Sequence, residues 1–97
     1  MVSTLDELIV DINRFSNCKI SFRRHADADI EIQTVDYTNL HVEKDKSGKA
    51  WVNNEFYISD KYKIIRVEEP EEAKRRVYQI TKGNMKIMDI YLYNIPV

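Results

Sequence analysis

"EEPEEAKRRVYQITKGN", residues 68–84, is the stretch on which the fold of this chain turns. Pro70 suits the first turn of a helix, where its missing N–H costs nothing. Glutamates at 68, 69, 71 and 72 precede Lys82, the order a helix dipole prefers. Glu71 with Arg75 and Glu72 with Arg76 stand four apart, and Gly83 or Asn84 offers a left-handed cap. Ala73, Val77 and Ile80 supply a narrow apolar stripe. These signals predict a second helix. At 100° per residue, that helix places Lys74, Arg75, Tyr78 and Lys82 on one exposed arc.

On either side of it the patterns change. "STLDELIVDINRFSN" at 3–17 predicts an N-terminal helix, capped by Ser3 or Thr4 with Asp6 or Glu7 three residues on. Its apolar face is Leu5, Leu8, Ile9, Ile12 and Phe15. "CKISFRR", "ADIEIQTV", "LHVEK", "AWV", "EFYIS" and "YKIIRV" are short strand-like runs separated by turn residues. Asn53–Asn54 suits a tight hairpin, because Asn tolerates positive φ. "MKIMDIYLYNI" at 85–95 is apolar on both faces, which predicts a central strand. The fold class expected is α+β: an N-terminal helix, a mostly antiparallel β-meander, a second helix and a C-terminal central strand, with the helices packed on the sheet.

The bulk numbers bound the function. Ninety-seven residues, 43% apolar and 32% charged with two Gly and two Pro, predict a single globular domain spanning residues 1–97. A net charge of −1 exerts no global pull toward polyanions. The charge is uneven, however: residues 1–45 carry nine acids and five bases, and residues 46–97 carry seven acids and ten bases. Cys18 is alone, so no internal disulfide forms. The start lacks a basic segment followed by an apolar run, and no apolar run reaches the roughly 20 residues of a membrane helix. The expectation is a soluble, cytoplasmic protein with no membrane association.

Few residues suggest chemistry. In "RRHADADIEIQ", residues 23–33, a single strand would align His25, Asp27, Asp29 and Glu31 on one face at about 6.7 Å intervals. Such a row can converge on a divalent ion, and it can equally be the wet side of a sheet. A nuclease built on Glu-x-Lys lacks its lysine: Gln33 follows Glu31 and Asp45 follows Glu43. The row therefore reads as a folding signal, with no metal or cofactor expected. Cys18 follows a helix instead of opening one, and Gly48 and Gly83 are too isolated to cradle phosphate.

Recognition remains. Six Tyr and one Trp are generous for so small a core, and Trp51 and Tyr57 straddle the Asn53–Asn54 turn. The expected function is non-enzymatic binding of a protein partner through Trp51, Asn53, Asn54 and Tyr57, as an inhibitor or adaptor. A homodimer joined through a strand edge is a further expectation. The alternative is nucleic-acid binding through Lys74, Arg75, Tyr78 and Lys82; a metal-dependent nuclease ranks third. In size and element order alone, the chain loosely resembles accessory proteins of phages and archaeal viruses, including anti-CRISPR inhibitors, which implies an inhibitory binding role.

Overall fold

The computed structural model describes residues 1–26 and 29–94. A short strand β1 (Val2–Ser3) precedes helix α1 (Leu5–Arg14), after which come β2 (Asn17–Ala26), β3 (Asp29–Thr38), β4 (Lys49–Val52), β5 (Phe56–Ser59), β6 (Lys63–Val67), β7 (Arg75–Lys82) and β8 (Met85–Tyr93). Six strands form one sheet in the order β1-β6-β7-β8-β2-β3, and β4 and β5 form a separate hairpin. Every described pairing is antiparallel. The molecule is α+β with a mostly antiparallel sheet, as the patterns predict.

The N-terminal helix starts where the sequence places it. Thr4 Oγ1 accepts from the Glu7 amide at 3.2 Å, and Ser3 Oγ donates to Glu7 Oε2 at 2.8 Å. Leu5, Leu8 and Ile12 are buried in one apolar cluster with Cys18 and Ile20 of β2, Tyr78 and Ile80 of β7, and Met88, Ile90 and Leu92 of β8. Val42, Ala50, Val52 and Ile58 join the same cluster from the β4–β5 side. The last strand is interior, hydrogen-bonded to β7 on one side and β2 on the other.

The second helix does not exist; α1 is the one α-helix among the described residues. Pro70 opens a single 3₁₀ turn, Glu71–Ala73, which Lys74 closes in the left-handed region at φ 49° and ψ 40°. The chain then runs as β7 between β6 and β8. Magnitudes explain the outcome. Each exposed Glu/Arg pair would give a helix about 0.2–0.5 kcal/mol. As a strand, the segment buries both Tyr78 and Ile80 to 0% exposure, and burying a large apolar side chain contributes about 1.5–3 kcal/mol. Gly83 at φ 62° is the first residue of the two-residue turn joining β7 to β8, the place a type II′ hairpin reserves for glycine. The predicted Glu71–Arg75 and Glu72–Arg76 pairs give way to Arg75–Glu69 at 2.8 Å and Arg76–Asp11 at 3.9 Å.

Two further expectations are corrected. "LHVEK" at 40–44 is not a strand, and only Lys44 forms a bridge, with Ala50. Its backbone finds another partner: the Val42 amide donates to Asn13 Oδ1 at 2.8 Å, and Asn13 Nδ2 donates to the Val42 carbonyl at 3.0 Å. The side-chain amide of Asn13 thus satisfies both groups that a ladder would have used. Residues 23–33 are not one strand either, since they span the end of β2 and the start of β3, with Arg24 opposite Glu31 and His25 opposite Ile30.

Candidate functional site

The β4–β5 hairpin turns on Asn53 and Asn54, both at positive φ (49° and 59°), the conformation of a type I′ turn. Its register places Ala50 opposite Ile58 and Trp51 opposite Tyr57. Alternation does the rest. Ala50, Val52 and Ile58 are buried, and Phe56 meets Phe22 edge to face at 4.4 Å. Trp51 and Tyr57 point the other way.

The outer face is an ordered aromatic row. Trp51 and Tyr57 have ring centroids 5.2 Å apart, and Tyr57 and Tyr62 follow at 6.3 Å with planes 19° apart. Trp51 remains 41% exposed. Its indole Nε1 donates to Asp45 Oδ2 at 3.3 Å. Asp45 Oδ1 also accepts from the Ser47 hydroxyl at 2.7 Å, the Ser47 amide at 2.9 Å and the Lys49 amide at 3.0 Å. These donors, the Ser47 hydroxyl first, hold the Asp45 carboxyl below its usual pKa, so it is a fixed anion under the indole. Lys49 Nζ lies 4.6 Å from the Tyr57 centroid, a cation–π distance. Burial, and next the neighbouring Tyr57, raise the Tyr62 phenol above its ordinary pKa.

The structure brings Trp51 and Tyr57 together and separates the basic arc. Lys74 caps the 3₁₀ turn, and Arg75 begins β7 with both Nε and a terminal nitrogen on Glu69 Oε1. Lys82 lies at the far end of the same strand, seven residues and about 23 Å on. Tyr78 is fully buried, its hydroxyl committed to Asp11, so it presents no ring for stacking. A strand alternates what a helix would have aligned, and the four residues do not form one surface.

A different grouping escapes the sequence reading. The sheet face opposite the core cluster aligns Lys19, Tyr91 and Val77 in one row across β2, β8 and β7, and Asn17, Tyr93 and Arg75 in the next. Lys19, Arg75, Tyr91 and Tyr93 line one depression of about 400 Å³. The period-two repeat of tyrosine in "YLY" was the available signal, masked by reading both faces of that strand as buried.

Cys18 is buried, and burial followed by the charge of Asp36 pushes its thiol up to about 12, which leaves it protonated at neutral pH. His41 Nε2 lies 3.3 Å from Glu43 Oε1. Of the row His25, Asp27, Asp29 and Glu31, Asp27 lies outside the described residues. The division between β2 and β3 removes the single-strand spacing on which that row depended. Among the described residues, no group of three His, Cys, Asp or Glu is placed to hold a metal ion. No described helix is long and apolar enough to cross a membrane.

No family model matches the chain, and no curated protein or solved structure matches it.

Proposed function

We propose that this chain is a non-catalytic binding protein that holds a protein partner through the outer face of the β4–β5 hairpin. The observation that carries the reading is Trp51: a large aromatic, 41% exposed, yet fixed by Asp45 on one side and Tyr57 on the other. Trp and Tyr dominate the energetics of protein interfaces. A pre-oriented indole loses little side-chain freedom on binding, so more of its contact energy reaches the complex. Asn53 and Asn54 set the rim, and Ala50, Val52 and Ile58 seat the hairpin in the apolar cluster. The lone, buried Cys18 suits an intracellular setting. An inhibitor or adaptor encoded by a virus or mobile element fits this description.

Affinity capture from native lysate, with and without nuclease, tests the reading when the wild type is run beside Trp51→Ala. A defined protein, recovered near-stoichiometrically after nuclease and lost with Trp51→Ala, supports it. Equal recovery by both proteins refutes the assignment to Trp51.

The second sheet face favours one other reading. Tyr91 and Tyr93, framed by Lys19 and Arg75, are the residue types that hold single-stranded nucleic acid, by stacking and by phosphate contact. Binding of that kind weakens steeply with salt, and Tyr91→Ala removes it while Trp51→Ala does not.

A further inference from the structure

Beside the aromatic row, a second cleft gathers cations. Lys49, Lys61 and Lys82 line it with Ser47, Ser59 and Tyr62, and its volume is about 370 Å³. Three distant segments meet there: the "KSGK" turn into β4, the turn from β5 into β6, and the β7–β8 hairpin turn. Two lysines outside the cleft have carboxylate partners, Lys44 with Asp6 at 2.9 Å and Lys86 with Asp89 at 3.1 Å. Lys49, Lys61 and Lys82 form no ion pair among the described residues. The nearby carboxylates are turned to other tasks. Asp45 is occupied by the Ser47, Lys49 and Trp51 donors. Asp60 lies close over Gly48 and lines a separate depression with Lys44.

We infer that this cleft binds a phosphate group. Three lysines lining one hollow concentrate positive charge there, and an oxyanion offsets that charge while accepting charge-assisted hydrogen bonds. Ser59, whose hydroxyl oxygen accepts from the Lys61 amide at 3.1 Å and keeps its own proton to donate, adds a hydroxyl at the same wall. The volume exceeds what a bare phosphate fills, so the terminal phosphate of a nucleotide and free phosphate share the chemistry. The inference requires the lysines and not Trp51, and so stands apart from the protein-partner reading.

Amide chemical-shift titrations at constant ionic strength, with inorganic phosphate, ATP, adenosine and chloride as separate probes, test it. Saturable shifts at residues 47–49, 59–62 and 82–83 are expected with phosphate or ATP, at a dissociation constant of about 1 mM or tighter. Adenosine and chloride leave those amides in place. Tighter binding of ATP than of phosphate assigns the ligand as a nucleotide, and equal binding assigns it as the free anion. Lys61→Gln and Lys82→Gln, both exposed in the fold, each weaken binding about tenfold. Lys46→Gln, outside the cleft, leaves it unchanged. Linear, unsaturated shifts with phosphate and ATP, or equal losses with Lys46→Gln, overturn the assignment.

Discussion

The phenol of Tyr78 donates a 2.5 Å hydrogen bond to Asp11 Oδ2, tying the middle of β7 to α1 across 67 positions of sequence. Asp11 is 9% exposed and has Arg14 and Arg76 each at 3.9 Å. A carboxylate so placed is compensated by two cations and one neutral donor. Removing only the donor with Tyr78→Phe costs about 1–2 kcal/mol. Asp11→Ala leaves the hydroxyl and the two guanidinium groups without their anion and costs about 3 kcal/mol or more. Urea unfolding of the two variants checks the order. A larger loss for Tyr78→Phe would show that the two arginines do without the carboxylate.

Alkaline pH acts on the same core. Burial and the charge of Asp36 raise Cys18 from 9.0 to about 12. Between those values the folded chain keeps a proton that the unfolded chain has released. Stability is therefore complete below pH 9 and falls as pH rises, by about 1.4 kcal/mol per unit while this group alone titrates. Tyr78, raised above its ordinary 10.0 by burial and then by its bond to Asp11, steepens the fall above pH 10. Urea midpoints from pH 7 to pH 10 should be flat and then decline. Cys18→Ala should abolish the decline between 9 and 10.

What was legible in the sequence were elements whose local and tertiary preferences agree. Helix α1 has a cap, an acidic first turn and an apolar face, and β2, β3, β5 and β6 are short apolar-rich runs set between turn residues. Residues 68–84 failed because their local signals point to a helix while their neighbours offer β7 two strands to bridge. Val77 and Ile80, three apart, share one face of a helix but take opposite faces of a strand, and helical spacing sets Tyr78 on the exposed arc because its partner, Asp11, is on a distant element. β1 is two residues long and exists only through pairing with β6, which no local pattern announces. Within the candidate site, the Asn-Asn turn and its flanking aromatics were readable because Asn tolerates positive φ, although the loop takes residues 53–55 before Val52 meets Phe56. The lysine cleft was not, because its walls come from three separate turns.

Asn13 illustrates a contact with no sequence signature and a measurable weight. Its amide holds both backbone groups of Val42, which is 2% exposed. Asn13→Ala leaves a buried N–H and C=O unpaired and costs about 1–3 kcal/mol. Asn13→Asp keeps the acceptor and loses the donor, so its cost is intermediate. Hydrogen exchange at the Val42 amide should accelerate in Asn13→Ala and far less in Asn13→Asp.

The hairpin should divide into a face that holds the fold and a face that is free of it. Ile58 is 1% exposed on the inner side, and Ile58→Ala should cost about 2–5 kcal/mol through lost burial and the cavity left behind. Trp51 stands on the outer side with one ring neighbour and one 3.3 Å hydrogen bond to an exposed carboxylate. Trp51→Ala should therefore change stability by no more than about 1 kcal/mol. Asn54→Gly, at φ 59°, suits the second position of a type I′ turn better than Asn does and should stabilise by about 0.5 kcal/mol. Thermal and urea unfolding of the three variants measures the contrast. A Trp51→Ala loss as large as that of Ile58→Ala would make the indole a structural strut, and its exposure would no longer argue for a partner.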